Sequence, residues 1–199
     1  METNIINEWI KTYLIGPMEE VEAGDSGRGW RNLISEKLSK RLDANGNPLY
    51  IFDPTKEEQN KIGMETEVFH KKVKGWLASG NNDLIAEHGG FIWKGKTYLE
   101  KAEDGKAKLV KILGDVDYVI NSNFLIARME KGDKPCGTFM ECGIALEHNI
   151  PIYVIQTMPR TEYPGSFVHA VLTTGGSFFY NESELLTYID KKYKLKVKK

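Results

Sequence analysis

The sequence predicts an α/β fold, a doubly wound, mainly parallel sheet of about four or five strands flanked by helices. Two observations predict it. Short apolar runs that end in turn residues alternate with stretches of helical periodicity along most of the chain. The first strand, the helix after it and the next strand also have the lengths of a βαβ unit, whose strands lie in parallel. We expect a single domain over residues 1–199, with an elaboration at about 56–105.

The elements of this βαβ unit follow one another in the first part of the chain. An apolar strand at 13–15 stops at a Gly-Pro turn, and after a glycine-rich segment apolar residues recur at helical spacing over 30–38. We expect Asp25 or Ser26 to cap this helix. A turn rich in asparagine leads to the second strand, at 49–52, and the three elements together favour a parallel, Rossmann-like sheet.

The elaboration is the least regular part of the chain. Charged helical stretches flank its centre, whose pattern predicts a small hairpin that turns at Lys94 and Gly95. Insertions of this kind often form a lid or a dimer surface. Helical periodicity returns at 107–113, where we expect a helix.

The remaining elements complete the predicted sheet and its helices. Two strands and two helices are predicted in the second half of the chain, at 124–127, about 139–147, 152–155 and about 182–192. Asn181 or Ser183 is expected to cap the last helix. The basic tail at 191–199 has the character of a solvated, partly frayed end and gives no strong nucleic-acid signal.

Composition and charge argue against several classes of protein. With 41% hydrophobic and 28% charged residues, the chain is typical of a soluble globular protein. Its formal net charge of −1 produces no field that would recruit nucleic acid or a membrane. No apolar run reaches the roughly 18 residues that span a bilayer, and no signal-peptide pattern follows Met1. We therefore expect a cytoplasmic protein with no membrane partner.

Neither the cysteines nor the histidines have a metal-ligand spacing. The two cysteines, Cys136 and Cys142, are too few for a disulfide framework and fit no zinc pattern, so we expect free thiols. The histidines are interpreted as surface residues or as residues with ordinary hydrogen bonds, and they are His70, His88, His148 and His169. No metal and no other cofactor is predicted.

The most informative run is 135–145, in which a Gly-Thr turn leads into a helix whose first turn carries Glu141. Ligands of open parallel sheets bind beyond the carboxyl ends of the strands. Three segments that follow predicted strands point to that edge, at 13–18, 53–54 and 135–141.

A second carboxylate, Asp115, could reach the same edge. Two close carboxylates suit acid/base or nucleophilic catalysis, because one can hold a proton while the other is ionised. The residues alone leave an alternative open, in which Glu141 complements the helix dipole and Asp115 or Asp117 caps an element.

Four segments resemble motifs of one enzyme family, in the same order. Tyr-Leu-Ile-Gly-Pro-Met at 13–18 is similar to a Tyr-Leu-Ala-Gly-Pro start, and Ile-Phe-Asp-Pro at 51–54 is similar to a Tyr-Asp-Pro turn. Residues 115–127 are close to an Asp-Leu…Ser-Asp-Phe-Leu-Ile-Ala pattern, with Asn123 in place of an aspartate, and 137–145 match Gly-Thr-x-x-Glu-x-Gly-x-Ala. Over most of its length the chain resembles the nucleoside 2-deoxyribosyltransferase family, together with the related nucleotide N-glycosidases that share its fold.

The resemblance implies a mechanism and its catalytic residues. Glu141 falls on the family's nucleophilic glutamate, Asp115 on the aspartate that helps the base to leave or positions the nucleophile, and Tyr13 on a tyrosine that orients the glutamate. The implied reaction is base exchange at the N-glycosidic bond of a 2′-deoxynucleoside or deoxynucleotide, through a covalent glutamyl-sugar intermediate. The implied partners are that nucleoside or nucleotide, an acceptor base, and further copies of the chain in a homo-oligomer, a dimer or larger.

Substrate contacts are expected on the loops around this edge, at Gly16, Pro17, Met18, Asp53, Pro54, Asp133, Cys136, Gly137 and Thr138. Arg28, in the glycine-rich segment, could meet a phosphate. The family's transferases usually carry an aspartate for the sugar 5′-hydroxyl six residues before the glutamate, and its N-glycosidases place a serine near there for a 5′-phosphate. This chain has Pro135 at that position, which leaves nucleoside and nucleotide open.

Three other functions stay open at this point. With water as the acceptor, the same chemistry gives a hydrolase that releases the base from a deoxynucleoside 5′-monophosphate. A glutamate at a strand end of a related sheet could also attack the ribosyl C1′ of NAD, as in an NAD glycohydrolase. The alternative from a different class is a catalytically silent nucleotide sensor, against which the pair of Glu141 and Asp115 argues.

Overall fold

A computed structural model describes residues 9–18, 27–56, 63, 66–101, 107–133 and 135–198. Its strands and helices are, in chain order, β1 (Lys11–Ile15), α1 (Arg28–Ser39), β2 (Arg41–Leu42), β3 (Tyr50–Phe52), α2 (Thr66–Ser79), α3 (Asn82–Lys94), β4 (Lys96–Lys101), β5 (Ala107–Ile112), α4 (Asp115–Ile120), β6 (Phe124–Arg128), α5 (Cys136–Glu147), β7 (Ile152–Ile155), a 3-10 turn (Arg160–Glu162), α6 (Gly165–Thr173), β8 (Ser177–Phe179), α7 (Glu182–Lys192) and β9 (Lys196–Val197). None of the described helices has both the length and the apolar character required to span a membrane.

The central sheet is fully parallel, with the strand order β3-β1-β6-β7-β8. The chain runs from β1 through α1 to β3 on one side and later returns to β6 on the other, so the order reverses between β1 and β6. Thr12 of β1 pairs with Ile51 on one side and with Phe124 on the other. The 5-stranded sheet and its flanking helices confirm the predicted doubly wound α/β fold.

Both faces of the sheet are buried under helices. Tyr13 and Ile15 point to the face covered by α4, α5 and α6, whereas Leu14 points to the face covered by α1 and α7. None of these three side chains has exposed surface. Because neither face meets water, the strands are continuous apolar runs, which is why the sequence predicts them so directly.

Two predictions are wrong, one within the elaboration and one directly after it. The hairpin expected to turn at Lys94 and Gly95 is wrong, because α3 continues to Lys94 and the hairpin is formed by β4 and β5, which pair from Lys96 with Ile112 onward. The helix expected at 107–113 is also wrong, since this segment contains β5. Its apolar residues fit a helical and an alternating pattern about equally, and pairing with β4 selects the strand.

The basic tail is part of the fold, which corrects the expectation of a frayed end. Strand β9 pairs with β2, and the Lys198 backbone N–H donates to the Lys40 carbonyl at 2.7 Å. Leu195 is buried, and the Tyr193 ring lies 4.7 Å from the Phe124 ring, centroid to centroid. Tyr193 and Leu195 therefore anchor this segment, and the Lys192 ammonium group donates a hydrogen bond to the Tyr153 hydroxyl at 2.6 Å.

One helix cap agrees with the sequence and one does not. Asn181 caps α7, because its side chain accepts a hydrogen bond from the Glu184 backbone N–H at 2.9 Å. The N-cap residue of α1 is Gly27, with φ 70°, so the cap expected at Asp25 or Ser26 is wrong. Both of those residues lie outside the described part of the chain.

A buried arginine holds the loop after β1. The Arg31 side chain is fully buried, and its guanidinium donates to the carbonyl oxygens of Leu14, Gly16 and Gly27. The bond to Gly16 measures 2.6 Å, and the guanidinium carbon lies 4.8 Å from the centre of the Trp30 ring. A hydrogen bond from a charged donor contributes about 1.5–3 kcal/mol. Arg31 therefore determines where the backbone runs as it leaves the sheet.

Replacing this arginine should destabilise the fold. We expect Arg31→Met to lower the free energy of unfolding by about 2–4 kcal/mol, because buried carbonyl groups would lose their donor. Urea unfolding followed by circular dichroism measures the change. Asn32→Ala, at an exposed position of α1, is the control and should stay within about 0.5 kcal/mol of wild type. Equal stability of the two variants would contradict the role of Arg31.

Candidate active site

A cavity of about 470 Å³ lies where the strand order of the sheet reverses. Part of its wall is formed by residues 16–18, which follow β1, by the first two turns of α5, and by Asp115 at the start of α4. The rest of the wall belongs to α2 and α3. Small-molecule sites occupy roughly 300–1,000 Å³, so both the place and the size are those of a ligand site in an open α/β sheet.

Glu141 lies in the second turn of α5, which corrects the predicted position in the first turn. The helix begins at Cys136 instead of about 139, so Gly137 and Thr138 are helical residues. Pro135 precedes the first turn, where the N–H group that proline lacks has no helical partner to bond. The dipole effect falls off within the first turn, and Glu141 is only 6% exposed and lines the cavity. Its position favours a role in the cavity over dipole stabilisation.

The sequence leaves open whether Asp115 or Asp117 caps an element, and the structure gives the two residues different roles. The Gly114 backbone N–H donates to Oδ2 of Asp117 at 3.1 Å, and the Lys111 ammonium donates to the other oxygen at 2.6 Å. Asp117 thus closes the capping box of α4, whose N-cap residue is Gly114. Asp115, the first residue of this helix, is 4% exposed and lines the cavity.

The two cysteines have different surroundings. Cys136 is exposed and lines the cavity, whereas Cys142 is buried in the core. Burial and, to a smaller extent, the neighbouring Glu141 carboxylate raise the pKa of the Cys142 thiol well above its usual range. Both thiols are free, as predicted. Cys142 therefore stays a protonated, unreactive thiol at neutral pH.

Thr138 contributes a buried hydroxyl group to the cavity wall. Its side chain is 2% exposed, and Oγ1 has no hydrogen-bond partner among the described residues. A buried polar atom without a partner costs about 1–3 kcal/mol, and a polar ligand in the cavity would recover part of this cost.

The structure brings most of the predicted site residues to this cavity. Those that line it are Gly16, Pro17, Met18, Asp115, Cys136, Gly137, Thr138 and Glu141. Five predicted residues are not part of the cavity wall formed by the described chain, and they are Tyr13, Arg28, Asp53, Pro54 and Asp133.

Three of these five have a structural setting of their own. Tyr13 is fully buried in the core, with its ring 6.1 Å from that of Tyr118. Asp53 accepts hydrogen bonds from the backbone and the hydroxyl of Thr55, at 3.1 and 2.7 Å. Asp133 accepts one from the Glu130 backbone at 2.7 Å. The catalytic role of Tyr13 and the binding roles of the other residues stay predictions.

The second half of the cavity wall was not predicted from the sequence. It comes from α2 and α3 and consists of Phe69, His70, Val73, Ile85, His88, Gly89, Ile92 and Trp93. The sequence contains a pattern that could have predicted the part from α3, since Ile85, His88 and Ile92 recur at the i, i+3, i+7 spacing of one helix face. Because the sequence was interpreted as a hairpin in this region, this helix face was not recognised. Within the described ranges, no three His, Cys, Asp or Glu side chains are grouped so that they could hold a metal ion.

No protein-family model matches the chain, and no curated protein is similar enough to count as a relative. The resemblance to the nucleoside 2-deoxyribosyltransferase family therefore rests on the four sequence segments. What that resemblance implies about function is a proposal.

The two thiols should differ in reactivity. We expect one of the two cysteines to react rapidly with a maleimide in the folded protein, because Cys136 is exposed and Cys142 is a buried, protonated thiol. Mass spectrometry of the labelled protein counts the modified thiols. Cys136→Ser should abolish rapid labelling, Cys142→Ser should preserve it, and urea should expose both sites in wild type. Equal labelling rates in the folded protein would contradict this difference.

Proposed function

We propose that this chain is an enzyme that breaks the N-glycosidic bond of a 2′-deoxynucleoside or deoxynucleotide and transfers the sugar to a second base. One observation carries the proposal: two buried carboxyl groups on different helices, Glu141 and Asp115, line one cavity at the switch point of the sheet. These are the residues on which the resemblance places the nucleophile and the group that assists the leaving base. Retaining glycosidases use the same two kinds of group.

The first half of the proposed reaction forms a covalent intermediate. A carboxylate oxygen of Glu141 attacks C1′ of the sugar, and the bond from C1′ to the base nitrogen breaks. The electron pair of that bond leaves with the base, which takes up a proton from the Asp115 carboxyl group. The sugar is then held as an ester of Glu141.

The second half releases the sugar. A nitrogen of the acceptor base attacks C1′, the ester bond breaks and the Glu141 carboxylate is restored. The Asp115 carboxylate accepts the proton that the acceptor loses. Because each half inverts the configuration at C1′, the product retains the configuration of the substrate. Water in place of the acceptor base would give hydrolysis.

A second candidate function is hydrolysis of a deoxynucleoside 5′-monophosphate, and the start of α5 favours it. Cys136, Gly137 and Thr138 bring the first turn of this helix to the cavity, and Pro135 provides no side-chain cap. The first N–H groups of a helix have no partner within it and attract phosphate groups. Thr138, a residue of the same turn that lines the cavity, also has a hydroxyl group without a partner among the described residues.

A substrate panel distinguishes these functions. The protein is incubated with deoxynucleosides, deoxynucleoside 5′-monophosphates and NAD, with and without a free acceptor base, and the products are separated by chromatography. We expect a new nucleoside or nucleotide only when the acceptor is present. Release of free base without an acceptor would establish hydrolysis instead, and cleavage of NAD alone would contradict both candidates. Tight binding of nucleotides with no product would indicate a sensor.

Substitution of the two carboxyl residues tests the mechanism. We expect Glu141→Gln to lower kcat by about 10³-fold or more, because the nucleophile is lost. Asp115→Asn should lower it by about 10²–10⁴-fold, the usual contribution of a general acid. Glu147→Gln, at an exposed position of the same helix, is the matched control and should retain wild-type kcat.

A covalent intermediate provides a second readout for these variants. Denaturing mass spectrometry of wild type mixed with a slow fluorinated deoxynucleoside should find the sugar attached to Glu141. Turnover by Glu141→Gln close to that of Glu147→Gln, or a sugar attached elsewhere, would contradict the mechanism.

A further inference from the structure

The cavity wall has two chemically different parts. The part that follows the sheet carries the polar groups, namely Asp115, Glu141 and the hydroxyl of Thr138. The part formed by α2 and α3 is apolar except for His70 and His88. A ligand made of a polar sugar and a flat heteroaromatic base likewise has one strongly polar part and one flat part that can pack on apolar side chains. Sites for such ligands commonly combine an apolar surface with a few polar groups that fix the orientation.

The imidazole of His88 is oriented by aromatic rings of the neighbouring helix. It stacks on Trp76 with 4.9 Å between ring centroids and 20° between the ring planes. The Phe69 ring packs against it at 5.9 Å and 60°. Trp76 and Phe69 lie on α2, whereas His88 lies on α3, so contact between the two helices determines where this polar ring lies. A ring held in this way can donate one hydrogen bond and accept another.

The apolar part of the wall is also joined closely to the helix that carries Asp115. A Cβ added to Gly114 would lie 2.3 Å from the carbonyl oxygen of Trp93, and one added to Gly95 would lie 2.0 Å from that of Ile112. Two glycines are therefore needed where the end of α3 meets the end of β5. Since Trp93 and Asp115 both line the cavity, this contact sets the spacing between the apolar wall and the carboxyl group.

We infer that α2 and α3 form the surface on which the nucleobase packs, and that His88 reads the polar edge of that base. This inference rests on the proposed function. The sugar lies toward Glu141 and Asp115, and the base lies against the side chains of Ile92 and Trp93. The His88 imidazole forms a hydrogen bond to a ring nitrogen of the base and so determines which bases bind. His88 is in this respect a specificity-determining residue.

The test uses a base and its analogue that lacks one ring nitrogen. Binding of adenine, 3-deazaadenine and 7-deazaadenine, and of the pyrimidine bases, is measured by titration calorimetry. His88→Phe keeps an aromatic ring next to Trp76 but removes the ring nitrogens. We expect wild type to prefer one base over its matched analogue by about 10-fold to 100-fold, and His88→Phe to bind the two within about 3-fold. His148→Phe, at an exposed position after α5, is the matched control and should keep the wild-type preference.

A second measurement does not depend on the folding of a variant. In wild type labelled with ¹⁵N-histidine, addition of the preferred base should shift the His88 imidazole resonances and leave those of His148 unchanged. Unchanged His88 resonances on binding would overturn the inference. A His88→Phe variant that keeps the wild-type base preference would overturn it as well.

The outcomes separate this inference from the proposed function. If deoxynucleosides are turned over while His88→Phe keeps the base preference, the inference fails and the function stands. If free bases bind in a manner that depends on His88 but no glycosidic bond is cleaved, the proposed function fails and the base surface stands. If wild type binds no base, the inference is overturned.

Discussion

The pairing of β1 with β6 is the contact on which the remainder of the structure depends. The two strands lie in the middle of the sheet, and their paired residues, from Thr12 with Phe124 to Ile15 with Ala127, are buried. Because β3 lies beyond β1 and β7 beyond β6, the connections that leave these two strands diverge, and a crevice opens between them. The cavity lies in this crevice, and Arg31 holds one of the loops that border it.

The same pairing explains how two carboxyl groups come to share a cavity. Helix α4 precedes β6 and α5 follows it, and both Asp115, the first residue of α4, and Glu141, in the second turn of α5, line this crevice. Neither position is one that helix stability requires. Asp117 closes the capping box of α4, and Glu141 lies past the first turn of α5. A polar group that local structure does not require, and that lines a cavity, is typical of a functional site.

The elaboration is an integral part of this cavity. Helices α2 and α3 supply its apolar surface, and the close contact of Gly95 and Gly114 joins α3 to the helix of Asp115. The stack of His88 on Trp76 holds the two elaboration helices against each other at the wall. In the proposed function, Asp115 and Glu141, next to the sheet, carry out the reaction, whereas His88 of the elaboration determines which base binds.

The central strands of the sheet and the two carboxyl residues of the cavity could be predicted from the sequence. Strands β1, β6 and β7 are buried on both faces, and Asp115 and Glu141 occupy segments that a parallel sheet brings to one edge. Three features could not be predicted in this way, namely that β5 is a strand, that the basic tail pairs with β2 and that His88 belongs to the cavity wall. The physical reason is the same in each case. These features depend on contacts with partners elsewhere in the chain, such as that of His88 with Trp76, which no local pattern records.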